Sequence, residues 1–239
     1  MADRWVSSGM NLPFMISPST LGPDLPMDEF DFQNLPEDFH GPLIKKPGLW
    51  ALMLSLTDIF TCIQEMNRDM VNGKLSDNLT VVAALADRLQ EWEDNLNVRD
   101  KFSFENLDFH CQRGNGGTFV ALHLGFHHYS TLLYYHSLER NHCLGNRGNF
   151  ETYATRCKSN ASSYAAILRA SRSTEGCRIM HITAGHMTVI SSSVMLHTLL
   201  FGAESEAVAA REDLVSNFSV LVELQLHWPS LSKAVRYFH

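Results

Sequence analysis

The sequence has no run of Lys or Arg longer than two residues, and its one pair is Lys45-Lys46. Its formal net charge is −7 with histidine neutral. Nucleic-acid binding depends on phosphate neutralisation by clustered cations, so this chain alone is a poor ligand for DNA or RNA. The five cysteines, Cys62, Cys111, Cys143, Cys157 and Cys177, are odd in number and form no C-x-x-C pair. That spacing argues against a zinc knuckle and reads as free thiols in a reducing compartment, not a disulfide frame. Proline is nearly missing beyond Gly48, where only Pro229 occurs. No stretch alternates apolar and polar residues between turn signals, which argues against a sheet. A fixed internal repeat is also lacking, and a helical solenoid would need one. The N-terminus carries no basic-then-apolar signal pattern.

What is present is helical periodicity, organised around residues 177–229. From Ile179 to Ala203 there is no Asp, Glu, Lys or Arg. Ile182, Val189, Leu196 and Leu200 mark one side of this run, and Met180, Met187, Ile190 and Val194 mark another. A helix apolar on more than one side belongs inside a protein. Gly202 is expected to close it in the left-handed conformation. Ser205 is expected to cap the next helix, with Val208, Leu214, Val215, Phe218, Leu221, Val222 and Leu226 facing inward. Trp228-Pro229 ends that helix, because the residue before a proline is pushed out of the helical region. The two together form a helical hairpin.

Other helices are read over Leu49–Val71, 79–96, a stretch opened by Thr118, and 150–171. Residues 97–117 read as a long loop pinned by Phe102, Phe104, Leu107 and Phe109. Two uncharged stretches, 114–138 and 179–203, invite a membrane test. Their histidines and hydroxyl residues favour buried core helices. Residues 1–48 carry seven prolines and alternate acidic residues with Phe30, Phe32, Leu35 and Phe39. Proline at that density forbids a long helix, so this part reads as an extended arm with its aromatics plugged into the body. The fold class is all-α: an irregular bundle of about six long helices (49–239) with a Pro-rich acidic arm (1–48).

Histidine offers the one metal-like spacing. His123 and His127 stand at i, i+4, and His186 from another helix would supply a third ligand. The Glu that serves as base in the zinc-protease motif is missing: Leu124, Gly125 and Phe126 lie between the two histidines. Three or four convergent ligands are needed, so core histidines are the preferred reading. Ser191-Ser192-Ser193 lacks the context of a nucleophile elbow and reads as hydroxyls that bond back to the backbone. Asp108, His110 and Cys111 sit in the expected loop and read as structural. Gly114-Asn115-Gly116-Gly117 has no following Lys for a nucleotide. No catalytic or cofactor-binding residue is therefore assigned. The alternative is a stand-alone helical enzyme or small-molecule binder with a His-lined pocket.

The segment Asp3-Arg4-Trp5-Val6-Ser7-Ser8-Gly9-Met10-Asn11-Leu12-Pro13, then Ile16, Asp28-Glu29-Phe30-Asp31 and Leu35-Pro36, resembles a known signature. It is similar to the middle homology domain of fungal-specific zinc-cluster transcription factors. Residues 85–93, 126–133 and 185–202 look like the later helices of that domain. The resemblance covers the latter part of the domain, and the six-cysteine zinc cluster that reads DNA in the family has no counterpart here. It implies a non-catalytic regulatory domain of RNA polymerase II transcription, located in the nucleus or also the cytoplasm, and a truncated form of the family. Zinc would belong only to the missing DNA-binding domain. Partners would be proteins, including a full-length paralogue, or a small apolar effector, with no direct nucleic acid and no membrane.

Overall fold

The computed structural model describes residues 25–36, 38, 46–74, 78–139, 147–232 and 236. Among them are eight α-helices, three short 3-10 turns and no strand beyond an isolated antiparallel bridge between Met27 and Pro47. The chain divides into two compact units, Met1–Leu122 and His123–His239, described in turn.

The first unit opens with α1 (Glu29–Gln33), a single turn that sequence reading assigned to an extended arm. The Asp28 carboxylate starts it by accepting from the Phe30 and Asp31 amides at 3.0 and 3.1 Å. Phe30 and Phe32 are 40% and 64% exposed, so these two aromatics are not plugged into a core. Arg113 instead lies over the Phe30 ring at 4.0 Å and pairs with Asp28 at 3.2 Å. Pro13, Pro18, Pro23, Pro42, Phe39 and the segment 3–16 lie outside the described residues. The Met27–Pro47 bridge brings Asp28 against Gly48. A Cβ on Gly48 would sit 2.6 Å from the Asp28 Cα, so the close backbone approach requires glycine.

α2 (Leu49–Val71) buries Leu49, Met53, Leu56, Ile59, Phe60, Ile63 and Met66, the three-and-four spacing of a core-facing stripe. Thr57 and Thr61 share that stripe because their hydroxyls donate back to the Met53 and Thr57 carbonyls at 2.7 and 3.0 Å. α3 (Asn78–Asp94) packs on α2 and buries Val82, Leu85 and Leu89. Trp92 Nε1 donates to Ser55 Oγ at 2.9 Å, which satisfies the polar end of a large side chain.

The expected loop 97–117 is partly helical. It contains a 3-10 turn and α4 (Phe104–Gln112). Ser103 supplies the cap by accepting from the Asn106 amide at 3.0 Å. Asn106 in turn donates to the Val98 and Lys101 carbonyls at 2.8 and 2.7 Å, so the preceding bend is tied to the helix. Its buried residues are Asn106, Leu107 and His110, with one apolar side chain among them, too few for periodicity to reveal.

α5 (Gly116–Tyr134) runs through the division between the units and ends in a 3-10 turn, Tyr135–Leu138. The second unit continues with α6 (Arg147–Ser173), α7 (Ile182–Phe201) and α8 (Glu204–His227), each packed on the other two. The α7–α8 hairpin is present, with three corrections to its details. Gly202 has φ −77° and ψ −179°, not left-handed backbone. Glycine fits there because a Cβ would meet the Thr198 carbonyl oxygen at 2.5 Å. Residue 203, not Ser205, precedes the first turn of α8, and Glu206 Oε2 reaches back to accept from the Ala203 amide at 3.0 Å.

The third correction concerns which face is inside. On α8 the buried residues are Ala210, Asp213, Asn217, Val220, Leu221 and Leu224. Val208, Val215, Val222 and Leu226, expected inside, are 69%, 61%, 42% and 80% exposed. On α7, Met187 and Val194 are buried while Ile182 and Leu200 are exposed. α7 is also long and apolar enough to cross a membrane by length and composition, and 50% of its most apolar window is buried within the fold.

Four cysteines are described. Cys62 and Cys157 are free, while Cys111 and Cys177 are disulfide-bonded. The free-thiol reading thus fails for Cys111 and Cys177. Sequence spacing says nothing about which thiols the fold brings together.

Candidate functional site

A depression lies in the second unit, where the 3-10 turn after α5 meets the end of α7. It offers about 290 Å³ and is lined by Tyr135, Leu138, Glu139, His197 and Phe201. Its walls are held in place. Tyr135 Oη and Ser193 Oγ share a hydrogen bond at 2.9 Å, and the His197 ring tilts against Phe201 at 5.0 Å between centroids. Leu138 forms a buried floor. Sequence reading missed this set. The only signal was His197 and Phe201 at i, i+4 near the end of an uncharged helix, and nothing in the chain pointed to Tyr135 and Glu139 as their neighbours. A second void of about 10 Å³ beside Arg172, Arg178 and Glu223 has room for one water at most.

The candidate metal trio does not come together as the spacing suggested. His127 Nδ1 is bonded to Asn160 Oδ1 at 2.9 Å, a contact between α5 and α6. His123 is buried on the same helix as His127. His186 on α7 instead faces His128, with ring centroids 6.2 Å apart. Among the described residues no group of three or more His, Cys, Asp or Glu could hold a metal ion. Burial, reinforced by the nearby His186, pushes the His128 imidazole down to about 3. Burial also lowers His127, against the Asn160 hydrogen bond, and it lowers His186. His186 keeps an open side to solvent, so His128 dominates this pair's response to acid.

The other candidates are structural in geometry. His110 stacks on Phe119 at 4.4 Å and its Nε2 lies 3.0 Å from the Arg99 carbonyl oxygen. Its neighbour Cys111 is disulfide-bonded and holds no thiolate for attack. Ser192 and Ser193 donate to carbonyls one turn back on α7, at 2.8 and 2.7 Å. Ser191 differs, because it crosses to the Ala161 carbonyl on α6 at 3.0 Å and accepts from Asn217 Nδ2 on α8 at 3.0 Å. Beside it, the Asp213 carboxylate, 4% exposed, accepts from Ser162 at 2.7 Å and pairs with Arg169. This polar seam joins three helices and uses its hydroxyls for packing. The buried Cys157 thiol is pushed up to about 12 by burial, which leaves it protonated and unreactive near neutrality.

No protein-family model matches this chain, and no solved structure matches it. Among curated proteins it is similar to a Zn(2)-C6 fungal-type transcription factor, FTF1c, of Fusarium oxysporum f. sp. lycopersici. The two are 21% identical over 250 residues, covering 95% of this chain and 27% of the relative. The chain thus spans about a quarter of that relative's length, and its likeness to a zinc-cluster transcription factor is distant but runs almost end to end.

Proposed function

We propose that this chain is a helical regulatory domain of the zinc-cluster transcription-factor type, acting in the nucleus through protein or effector contacts. The observation that carries the reading is the near end-to-end similarity to a Zn(2)-C6 fungal-type transcription factor. Two features of the chain support it. Its net charge of −7 and lack of cationic runs favour protein contacts over phosphate contacts. Its polar groups on α6, α7 and α8 pair with one another instead of lining a reactive cleft. No catalytic role and no resident metal are proposed, and α7 is taken as a core helix of the second unit.

The test is to tether the whole chain to a heterologous DNA-binding domain in a fungal host and read a reporter. A severalfold change in output relative to the DNA-binding domain alone, in either direction, is expected. Unchanged output would count against the proposal.

A further inference from the structure

We propose that the outer face of α8 is a homodimer interface, packing against α8 of a second copy of this chain as an antiparallel coiled coil. This goes beyond the regulatory reading and does not rest on it.

Spacing sets the outer face. Val208, Glu212, Val215, Ser219, Val222 and Leu226 follow one another at alternating intervals of four and three residues. That alternation is the seam of a coiled coil, and it holds these residues within about 80° of the helix surface. The midline of the seam lies about 180° from Asn217, which is fully buried. A helix with one side buried normally shows water a polar face. On α8 the order is inverted. Val208, Val215, Val222 and Leu226 are all exposed. Asp213 and Asn217 are inside, where Ser162, Arg169 and Ser191 on α6 and α7 answer them. The helix is thus apolar toward solvent at the positions that a second helix would cover.

Charge and symmetry select the occupant. A parallel pairing would set Glu212 on Glu212 and Ser219 on Ser219 inside the seam, and like charges there are costly. A two-fold axis crossing the seam between Val215 and Ser219 instead sets Val208 opposite Leu226, Glu212 opposite Val222, and Val215 opposite Ser219. Each layer then has at least one apolar member. The Glu212 stem covers valine while its carboxylate reaches the rim. The two Glu212 carboxylates stand about 15 Å apart along the axis, the rise from residue 212 to residue 222, beyond a Debye length of about 8 Å. One stripe serves both copies, which is the isologous contact of a two-fold dimer. From Val208 to Leu226 the seam is about 27 Å long. Two helices about 10 Å across, in contact over that length, bury about 500 Å² on each copy and about 1,000 Å² in total. That meets the lower limit of a specific interface, so the dimer is weak, with a Kd on the order of 10 μM.

The experiment is sedimentation equilibrium of the purified full chain from about 1 to 300 μM. A reversible monomer–dimer equilibrium is expected. Val215→Lys and Leu226→Lys should each weaken it by about tenfold or more, because an ammonium enters an apolar layer. Ala209→Lys, about 100° round the helix from the seam, should leave it unchanged. All three positions are exposed, so the melting temperatures of the dilute variants should match the parent. Orientation is read by mixing Val208→Cys and Leu226→Cys chains, one of them isotopically labelled, and oxidising the mixture. Mass spectrometry should find the introduced thiols joined between unlike chains and not between like ones. A chain that stays monomeric at about 300 μM would overturn the proposal and leave the face to a helix of a different protein. Undiminished dimerisation of the two seam variants would overturn it, as would cross-links between like chains.

Discussion

The Asp213 carboxylate on α8 and the Arg169 guanidinium on α6 form an ion pair whose acidic half is only 6% exposed at the side chain and whose basic half is 45% exposed. Ser162 fills a further lone pair of the acid at 2.7 Å. The pair is therefore asymmetric: one charge is desolvated and the other is not. Removing Arg169 leaves a buried carboxylate with a single hydroxyl donor, which is costly. Arg169→Ala should destabilise by about 2–4 kcal/mol, and Asp213→Ala by about 1–3 kcal/mol. Denaturant melts of the two single variants and the double variant give the coupling. A double variant that costs as much as the two singles added would contradict the pairing.

Acid should destabilise the second unit through His128. Its folded value is lowered to about 3 by burial first and His186 second, against an unfolded value of 6.5. A base with a depressed folded pKa binds fewer protons when folded. Its contribution is thus fully present above pH 6.5 and is lost as pH falls from 6.5 toward 3. The expected slope is about 1.4 kcal/mol per pH unit for this one group. His128→Phe should flatten the stability profile in that window, and an unchanged profile would show that His128 is not the source.

Gly48→Ala should release the Met27–Pro47 bridge. The added methyl meets backbone, the Asp28 Cα at 2.6 Å and the Met27 carbonyl oxygen at 2.8 Å, and neither can rotate away. Faster protease cleavage near residues 27–34 is expected, with a loss of about 1–2 kcal/mol. Parent-like cleavage would mean the bridge does not hold α1.

The two faces of α8 can be told apart by substitution. Val215, 61% exposed, should tolerate Gln within about 0.5 kcal/mol. Leu221, 0% exposed, should lose about 2–5 kcal/mol on change to Ala. Reversal of that order would contradict the burial of Leu221 and the exposure of Val215 on α8.

Much of the architecture could be read from the chain, and α8 shows where reading stops. The long helices follow from apolar spacing, and the ends of α2 and α8 follow from Asn72-Gly73 and Trp228-Pro229. The inner face of α8 followed at Leu221 but not at Val208, Val215, Val222 and Leu226. Its valines at 208, 215 and 222 make the clearer apolar stripe, yet the ridge turned inward carries Asp213 and Asn217. Those polar residues are buried because Ser162, Arg169 and Ser191 answer them from other helices. Pairing across helices leaves no trace in one helix's pattern. α4 was hidden for a different reason: nine residues give too little periodicity, and its cap, Ser103, lies in a polar stretch. The groove at Tyr135, Glu139, His197 and Phe201 depends on a helix end meeting a 3-10 turn far away in sequence. The histidine pair that does form, His128 with His186, displaced the expected His127 by one residue, or about 100° of helix.

The most direct test of the regulatory reading compares two tethered chains in the same reporter strain. One is the parent, and the other carries Leu221→Ala with Leu224→Ala to collapse the α7–α8 core. The parent is expected to shift reporter output severalfold, and the double variant, expressed at an equal level, is expected to abolish the shift. Indistinguishable output from both, equal to that of the DNA-binding domain alone, would contradict it.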